Sequence, residues 1–180
     1  MFNDIKEVLC ISKDINAKIE ELAARIDQEY NDKQNLHILA LLDGSFVFVA
    51  DLVRTLQHGV YVEFVRAKSY KGTQSTGVVS LDEHFDPSIF KNKHVLIVDD
   101  ILDTGLTLST VKEIIESSEA LSVATCVLLD KQTDKRINNF QADFVCLDIP
   151  DKFVVGYGLD YEGKYRDLPY IGVLHERVYS

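Results

Sequence analysis

Two apolar runs constrain what this chain can fold into. Leu36–Leu42 (LHILALL) and residues 94–98 (HVLIV) show almost no polar alternation. That is the pattern of strands covered on both faces, and such strands occur in parallel sheets enclosed by helices. Each run stops at a polar turn and resumes at helical spacing. After Asp43-Gly44-Ser45, the residues Phe46, Val49, Ala50, Val53 and Leu56 mark a helix over 46–57, closed by His58-Gly59. After a tight connection at 99–105, a second helix covers 106–118. Ser12 is placed to cap a helix over 14–30, with Ile15, Ile19, Leu22 and Ile26 on one stripe. Further strands are predicted at 60–66, 78–81, 123–129, 144–147, 153–157 and 170–173, with a polar loop over 68–76. This alternation predicts an α/β fold, with a mostly parallel central sheet flanked by helices. Ligands of such sheets sit beyond the carboxyl ends of the strands, so the breaks at Asp43-Gly44-Ser45 and 99–107 are the two candidate sites.

The length of 180 residues, without repeats, low-complexity tracts or Gly/Ser-rich linkers, predicts a single domain over 1–180. Cys10, Cys126 and Cys146 form no CxxC pair and are expected to be free thiols. The apolar runs are far too short to span a bilayer, and MFNDIKEVLC lacks the apolar core of a signal peptide, so a cytoplasmic protein is expected. A net charge of −10 argues against nucleic-acid and anionic-membrane binding. Any polyanionic ligand must instead be met locally, by helix N-termini, a few placed cations and a divalent metal.

The segment 99–107 has the composition for such a local site. A buried strand runs into Asp99 and Asp100, then Asp103, then Thr104-Gly105-Leu106-Thr107 at a helix start. Hydroxyls and amides at a helix N-terminus, with a glycine permitting close approach, suit a phosphate monoester. Paired carboxylates accept hydrogen bonds from a vicinal diol or bind a hydrated divalent cation. A phosphate beside a diol is the outline of a ribose 5-phosphate. Helix capping alone accounts for Thr104 but not for three bunched carboxylates, whose repulsion calls for a cation or donors.

The stretch VLIVDDILDTGLTL resembles the phosphoribosyl pyrophosphate-binding motif of purine and pyrimidine phosphoribosyltransferases. LLDGSFVFVADLVR, KSYKGTQSTG and IPDKFVVGYGLDYEGKYRDLPYIGVL, together with Lys131, narrow the resemblance to the hypoxanthine (hypoxanthine-guanine) phosphoribosyltransferases over nearly the whole chain. The resemblance implies the type I phosphoribosyltransferase fold, with a small hood over the active site. It also implies a magnesium-dependent transfer of phosphoribose to N9 of hypoxanthine or guanine, in a homodimer or homotetramer.

By the same resemblance, Asp99 and Asp100 hold the ribose hydroxyls and, with Asp160, are the candidate magnesium ligands. Asp103 is the general base at N7 of the purine. Thr104, Gly105, Leu106 and Thr107 bind the 5′-phosphate, Leu106 standing where the family often has lysine. Gly44 belongs to the pyrophosphate loop. Ser69 and Tyr70 lie in a loop that closes over the reacting centre. Lys131 donates to O6, Phe153 stacks on the base, the main chain of Val154 reads its edge, and Arg166 reaches pyrophosphate. Taken without the resemblance, Lys131 reads as a solvated surface charge, Phe153 and Val154 as core, and Arg166 as a partner of Asp167 or Glu162. One departure is Asp43, where the family commonly has lysine or arginine after a cis peptide; its carboxylate is expected to point away from the ligand.

Three alternatives compete with this reading. A regulator using the same fold to control nucleic-acid binding would need a basic surface, which a pI of about 4.9 opposes. A silent binding subunit would not need Asp103, Lys131 and Asp160 together. A relative preferring xanthine or guanine is separated only by main-chain placement around 154–160.

Overall fold

The structure, a computed structural model, describes residues 2–33, 36–69 and 79–179. A central sheet takes shape around the two apolar runs, β2 (Leu36–Leu42) and β5 (His94–Leu102). These pair in parallel; β3 (Tyr61–Ser69) extends the sheet beyond β2, while β6 (Ser122–Gln132) and β7 (Phe144–Pro150) extend it beyond β5, all parallel. The short β4 (Val79–Leu81) closes one edge antiparallel to β3, giving the order β4-β3-β2-β5-β6-β7.

Period-two geometry sends alternate residues of β2 to opposite faces. Ile38 and Ala40 join a core with Ile15 and Ile19 of α1 (Ser12–Tyr30) and Phe48 and Leu52 of α2 (Phe46–Thr55). Leu39 and Leu41 join a second core with Leu108, Val111 and Ile115 of α3 (Leu106–Glu116). Each fully buried Leu or Ile contributes about 1.5–3 kcal/mol, so covering both faces is what holds the central strands.

The chain leaves β2 through α2 toward β3 on one side, and returns to β5 on the other side of β2. The point where the winding reverses therefore lies between the carboxyl ends of β2 and β5, where a crevice is expected. A separate antiparallel sheet of β1 (Ile5–Cys10), β9 (Ile171–Leu174) and β8 (Val154–Val155) forms the hood, with its own cluster of Val155, Tyr165, Leu168 and Leu174. The chain ends in a short helix, α4 (Glu176–Tyr179).

Several local expectations are corrected. Ser12 does not cap α1: it is the first helical residue, and Ile11 occupies the cap position without a side-chain hydrogen bond. The predicted connection at 99–105 is shorter, because β5 continues to Leu102 with Asp99, Ile101 and Leu102 paired to Val127, Leu129 and Asp130. The strand expected at 153–157 shrinks to two residues, since Gly156, Tyr157 and Gly158 all take positive φ. β1 and α4 are additions. The three cysteines are free, with Cys126 and Cys146 buried. Among the described residues, no helix is long and apolar enough to cross a membrane.

Candidate active site

A cleft of about 330 Å³ opens at the predicted reversal point, lined by Leu41–Gly44 from β2 and its turn, Ala67 of β3, Asp99–Ile101 of β5, and Asp103, Thr104 and Thr107 at the α3 entry. Both candidate sites from the sequence thus share one cleft.

Asp99 and Asp100 directly follow the buried run Val95–Val98 of β5. Burial, and after it the charge of Asp100, hold the Asp99 carboxyl well above the usual carboxylate range. Burial raises Asp100 as well, opposed by its hydrogen bonds with Asp99 and the Ile101 amide and by the charge of Arg166. Two carboxylates so placed oppose each other's ionisation, and a cation or diol donors relieve that repulsion.

Gly105 supplies the α3 N-cap at φ +83°, a left-handed conformation that L side chains rarely adopt; an added Cβ would also press on Phe140 at 3.2 Å. The Leu106 amide faces Thr104 Oγ1 at 3.4 Å, and Thr104 and Thr107 line the cleft. The first amides of an 11-residue helix lack intrahelical acceptors, so this end is chemically suited to an anion.

Opposite stands the turn after β2. The Leu42–Asp43 peptide is cis. Ser45, fully buried, donates from Oγ to the Leu41 carbonyl at 2.5 Å and ties the turn together. At Gly44 the backbone lies so close to Asp100 that an added Cβ would sit 1.6 Å from Oδ2. On the other side of the turn, the Gly44 carbonyl would meet a Cβ on Gly158 at 2.2 Å. The expected departure at Asp43 has a partner: Asp43 lines the cleft, and its Oδ1 accepts from Arg66 Nε at 3.0 Å. Arg66 thereby brings a cation beside the turn that lacks one in its own sequence.

Lys131 falls inside β6, with its side chain 13 % exposed. The expectation of a solvated charge is therefore wrong: Nζ stands 3.4 Å from Asp103 Oδ2 and 3.6 Å from Asp151 Oδ1. Asp103, the first residue past β5, is half exposed and faces the lysine from the neighbouring strand end. Phe153 immediately precedes β8 and is 37 % exposed, so it is not core. Its ring stacks on Tyr179 (centroids 4.8 Å, 22°) and meets Tyr161 edge-on. Val154 is buried and paired with Val173, as its core reading held.

Arg166 pairs with Asp160 at 2.9 Å, rather than with Asp167 or Glu162, and donates from Nη1 to the Gly158 carbonyl at 2.7 Å. Asp160 also accepts from the Gly163 amide at 2.7 Å. Among the described residues, no three His, Cys, Asp or Glu side chains converge as a metal cage. The backbone of Ser69 ends β3 opposite Val79; Tyr70 lies outside the described residues.

Sequence reasoning placed Ser45 within the Asp43-Gly44-Ser45 break without giving it a role, and did not single out Arg66, Asp151, Gly158 or Tyr179. Gly158 had a faint signal in the Gly-Tyr-Gly repeat at 156–158. The others reach the cleft or its residues only through tertiary pairing.

Comparison with known proteins agrees with this geometry. The family described as "Phosphoribosyl transferase domain" matches residues 10–162. A hypoxanthine-guanine phosphoribosyltransferase of Streptococcus pneumoniae is 42% identical over 99% of this chain and 98% of its own length. One from Staphylococcus aureus is 42% identical over 100% and 99%. Among solved structures, a hypoxanthine phosphoribosyltransferase from Staphylococcus aureus superposes with a TM-score of 0.90 at 41% identity, covering 100% of this chain and 97% of that one. A variant of the Trypanosoma cruzi enzyme, solved as a ternary substrates complex, gives 0.90 at 38%, covering 99% and 100%. With its cleft at the winding reversal and its relatives matched end to end, the chain belongs to the phosphoribosyltransferase family, among the hypoxanthine-guanine phosphoribosyltransferases.

Proposed function

We propose that this chain transfers the phosphoribosyl group of phosphoribosyl pyrophosphate to N9 of hypoxanthine or guanine, releasing pyrophosphate and giving the 5′-mononucleotide. The observation that carries the reading is the pairing of Lys131 with Asp103 next to a helix N-terminus that faces two carboxylates across one cleft. A donor and an acceptor side by side match the O6 and N7 edge of a 6-oxopurine. As N9 forms its bond to C1′ and the C1′–oxygen bond to pyrophosphate breaks, Asp103 accepts the N7 proton, while Lys131 stays protonated and donates to O6. Asp99 and Asp100 accept from the ribose hydroxyls. Thr104, Thr107 and the amides of Gly105 and Leu106 hold the 5′-phosphate. Gly44 presents its backbone to pyrophosphate, Arg66 adds charge beside the turn, and Arg166 grips a phosphate when the ligand competes with Asp160. Phe153 offers a ring face to the base, and Val154 its main chain.

Magnesium would be held by one or two of the carboxylates Asp99, Asp100 and Asp160 together with substrate oxygens and water, and when bound it would neutralise pyrophosphate charge. The reading includes a single domain working in the cytoplasm as a dimer or tetramer. Initial rates with hypoxanthine, guanine, xanthine and adenine, with magnesium and in excess chelator, test it. Hypoxanthine and guanine turnover that needs the metal supports the proposal. Turnover of adenine alone, or full rates in chelator, would sink it.

A further inference from the structure

Arg136 lies outside the cleft and has no part in the chemistry above, yet it is one of the most enclosed charges in the fold. It pairs with Asp130 at 2.6 Å, both side chains being 14 % exposed. Nη2 also donates to the Lys131 carbonyl at 2.7 Å and reaches the Leu102 carbonyl at 3.4 Å, while Nη1 donates to the Phe140 carbonyl at 3.1 Å. Each acceptor adjoins a residue of the site. Leu102 is the last residue of β5 and directly precedes Asp103; Phe140 walls Gly105 at the α3 entry.

The sheet holds Lys131 through its pairing with Ile149 of β7, but the β5–β6 ladder does not reach the step where Asp103 faces it. Leu102 opposite Asp130 is the final pair of the β5–β6 ladder, so both residues lie one step beyond it. At that step the guanidinium takes over from the ladder. Stability does not explain the arrangement: buried ion pairs are often no better than apolar packing of the same volume. Moreover, Arg136 Nε is buried without a partner among the described residues, which costs free energy.

We infer that Arg136 is a positioning residue that sets the spacing of Lys131 and Asp103, and through it the discrimination among purine bases. This rests on the reading of Lys131 and Asp103 as the pair that meets the base. Two variants test it. Arg136→Lys keeps the charge but not the planar fork that serves four acceptors. The double variant Arg136→Met/Asp130→Leu removes the pair without stranding a buried carboxylate. In both, kcat with hypoxanthine should fall by about 10²-fold, as for a displaced reacting group. The KM for phosphoribosyl pyrophosphate should stay put, and the hypoxanthine-to-adenine ratio of kcat/KM should shrink. The double variant should also keep or raise its thermal midpoint. An unchanged ratio in the folded variants would overturn the inference. So would a loss confined to the phosphoribosyl pyrophosphate KM, or a collapse of the double variant's thermal midpoint, which would make the pair part of the core. Lys131→Ala measured alongside separates the two ideas. If it also leaves the ratio untouched, the base-reading pair itself is wrong; if it alone shrinks the ratio, only the role of Arg136 fails.

Discussion

Replacing Gly44 by alanine places a methyl carbon 1.6 Å from Asp100 Oδ2, where contacts below 3.0 Å are essentially never seen. The Asp100 carboxylate must then retreat by the difference between 3.0 and 1.6 Å, about 1.4 Å. The obstacle is the end of a side chain, so the fold can accommodate it at roughly the cost of an off-rotamer χ angle, about 0.5–1.5 kcal/mol. The site cannot, because a misplacement of this size in a group that orients substrate costs about 10²-fold. That equals roughly 2.7 kcal/mol of transition-state stabilisation, more than the loss of fold stability. Steady-state kinetics with varied phosphoribosyl pyrophosphate, beside thermal denaturation, check both halves. The expected variant is folded, with kcat/KM for phosphoribosyl pyrophosphate down by about two orders of magnitude. Wild-type kcat/KM would refute the argument, since Asp100 would then tolerate displacement without consequence. Asp100→Asn should not reproduce the effect in full, because it leaves the position of the side chain unchanged.

Three further outcomes follow from the same geometry. Asp103→Ala should lower kcat by about 10²–10⁴-fold while leaving the KM for phosphoribosyl pyrophosphate near its original value, as a proton acceptor would; loss of affinity with kcat intact would make it a binding residue. Asp99→Asn should raise the thermal midpoint of the unliganded protein at neutral pH. Asp99 has a folded pKa raised above its unfolded value, so the folded state holds the extra proton and stability falls as pH climbs from the usual carboxylate range through the raised value. The variant's pH–stability curve should lose that fall, and an unchanged slope would place the cause elsewhere. Arg66→Ala should raise the KM for phosphoribosyl pyrophosphate with little change in thermal midpoint, because its pair with Asp43 is exposed and such pairs contribute about 0–1 kcal/mol. An unchanged KM would leave Arg66 a surface residue.

What the sequence disclosed was what local chemistry dictates. The runs at Leu36–Leu42 and 94–98 announce buried strands because both faces are apolar, and the glycine between Thr104 and Leu106 marks a helix entry. β5 outran its prediction because Asp99 and Asp100 look like a loop, although their backbone still pairs with β6. β1 was missed because IKEVLC alternates poorly and finds its partner, β9, at the opposite end of the chain. Phe153 and Val154 are adjacent in sequence, yet one lies exposed and one buried, a split that follows from β8 ending the hood sheet. Arg136 carries no local signature at all: its contacts with Leu102, Asp130 and Lys131 exist only because β5 and β6, which the sequence separates, pair side by side.

The central claim is that a lysine beside an aspartate reads a 6-oxopurine, and the most direct measurement is the ratio of kcat/KM for hypoxanthine to that for adenine in the wild-type protein and in Lys131→Ala. A site built around one specific hydrogen bond discriminates by about 10⁴–10⁵ against an analogue that leaves it unpaired. Adenine presents an amino donor to an ammonium donor, so the wild-type ratio should be of that order, and removing the ammonium should shrink it even as activity on hypoxanthine falls. A ratio identical in the two proteins would contradict the account, whatever the loss of rate.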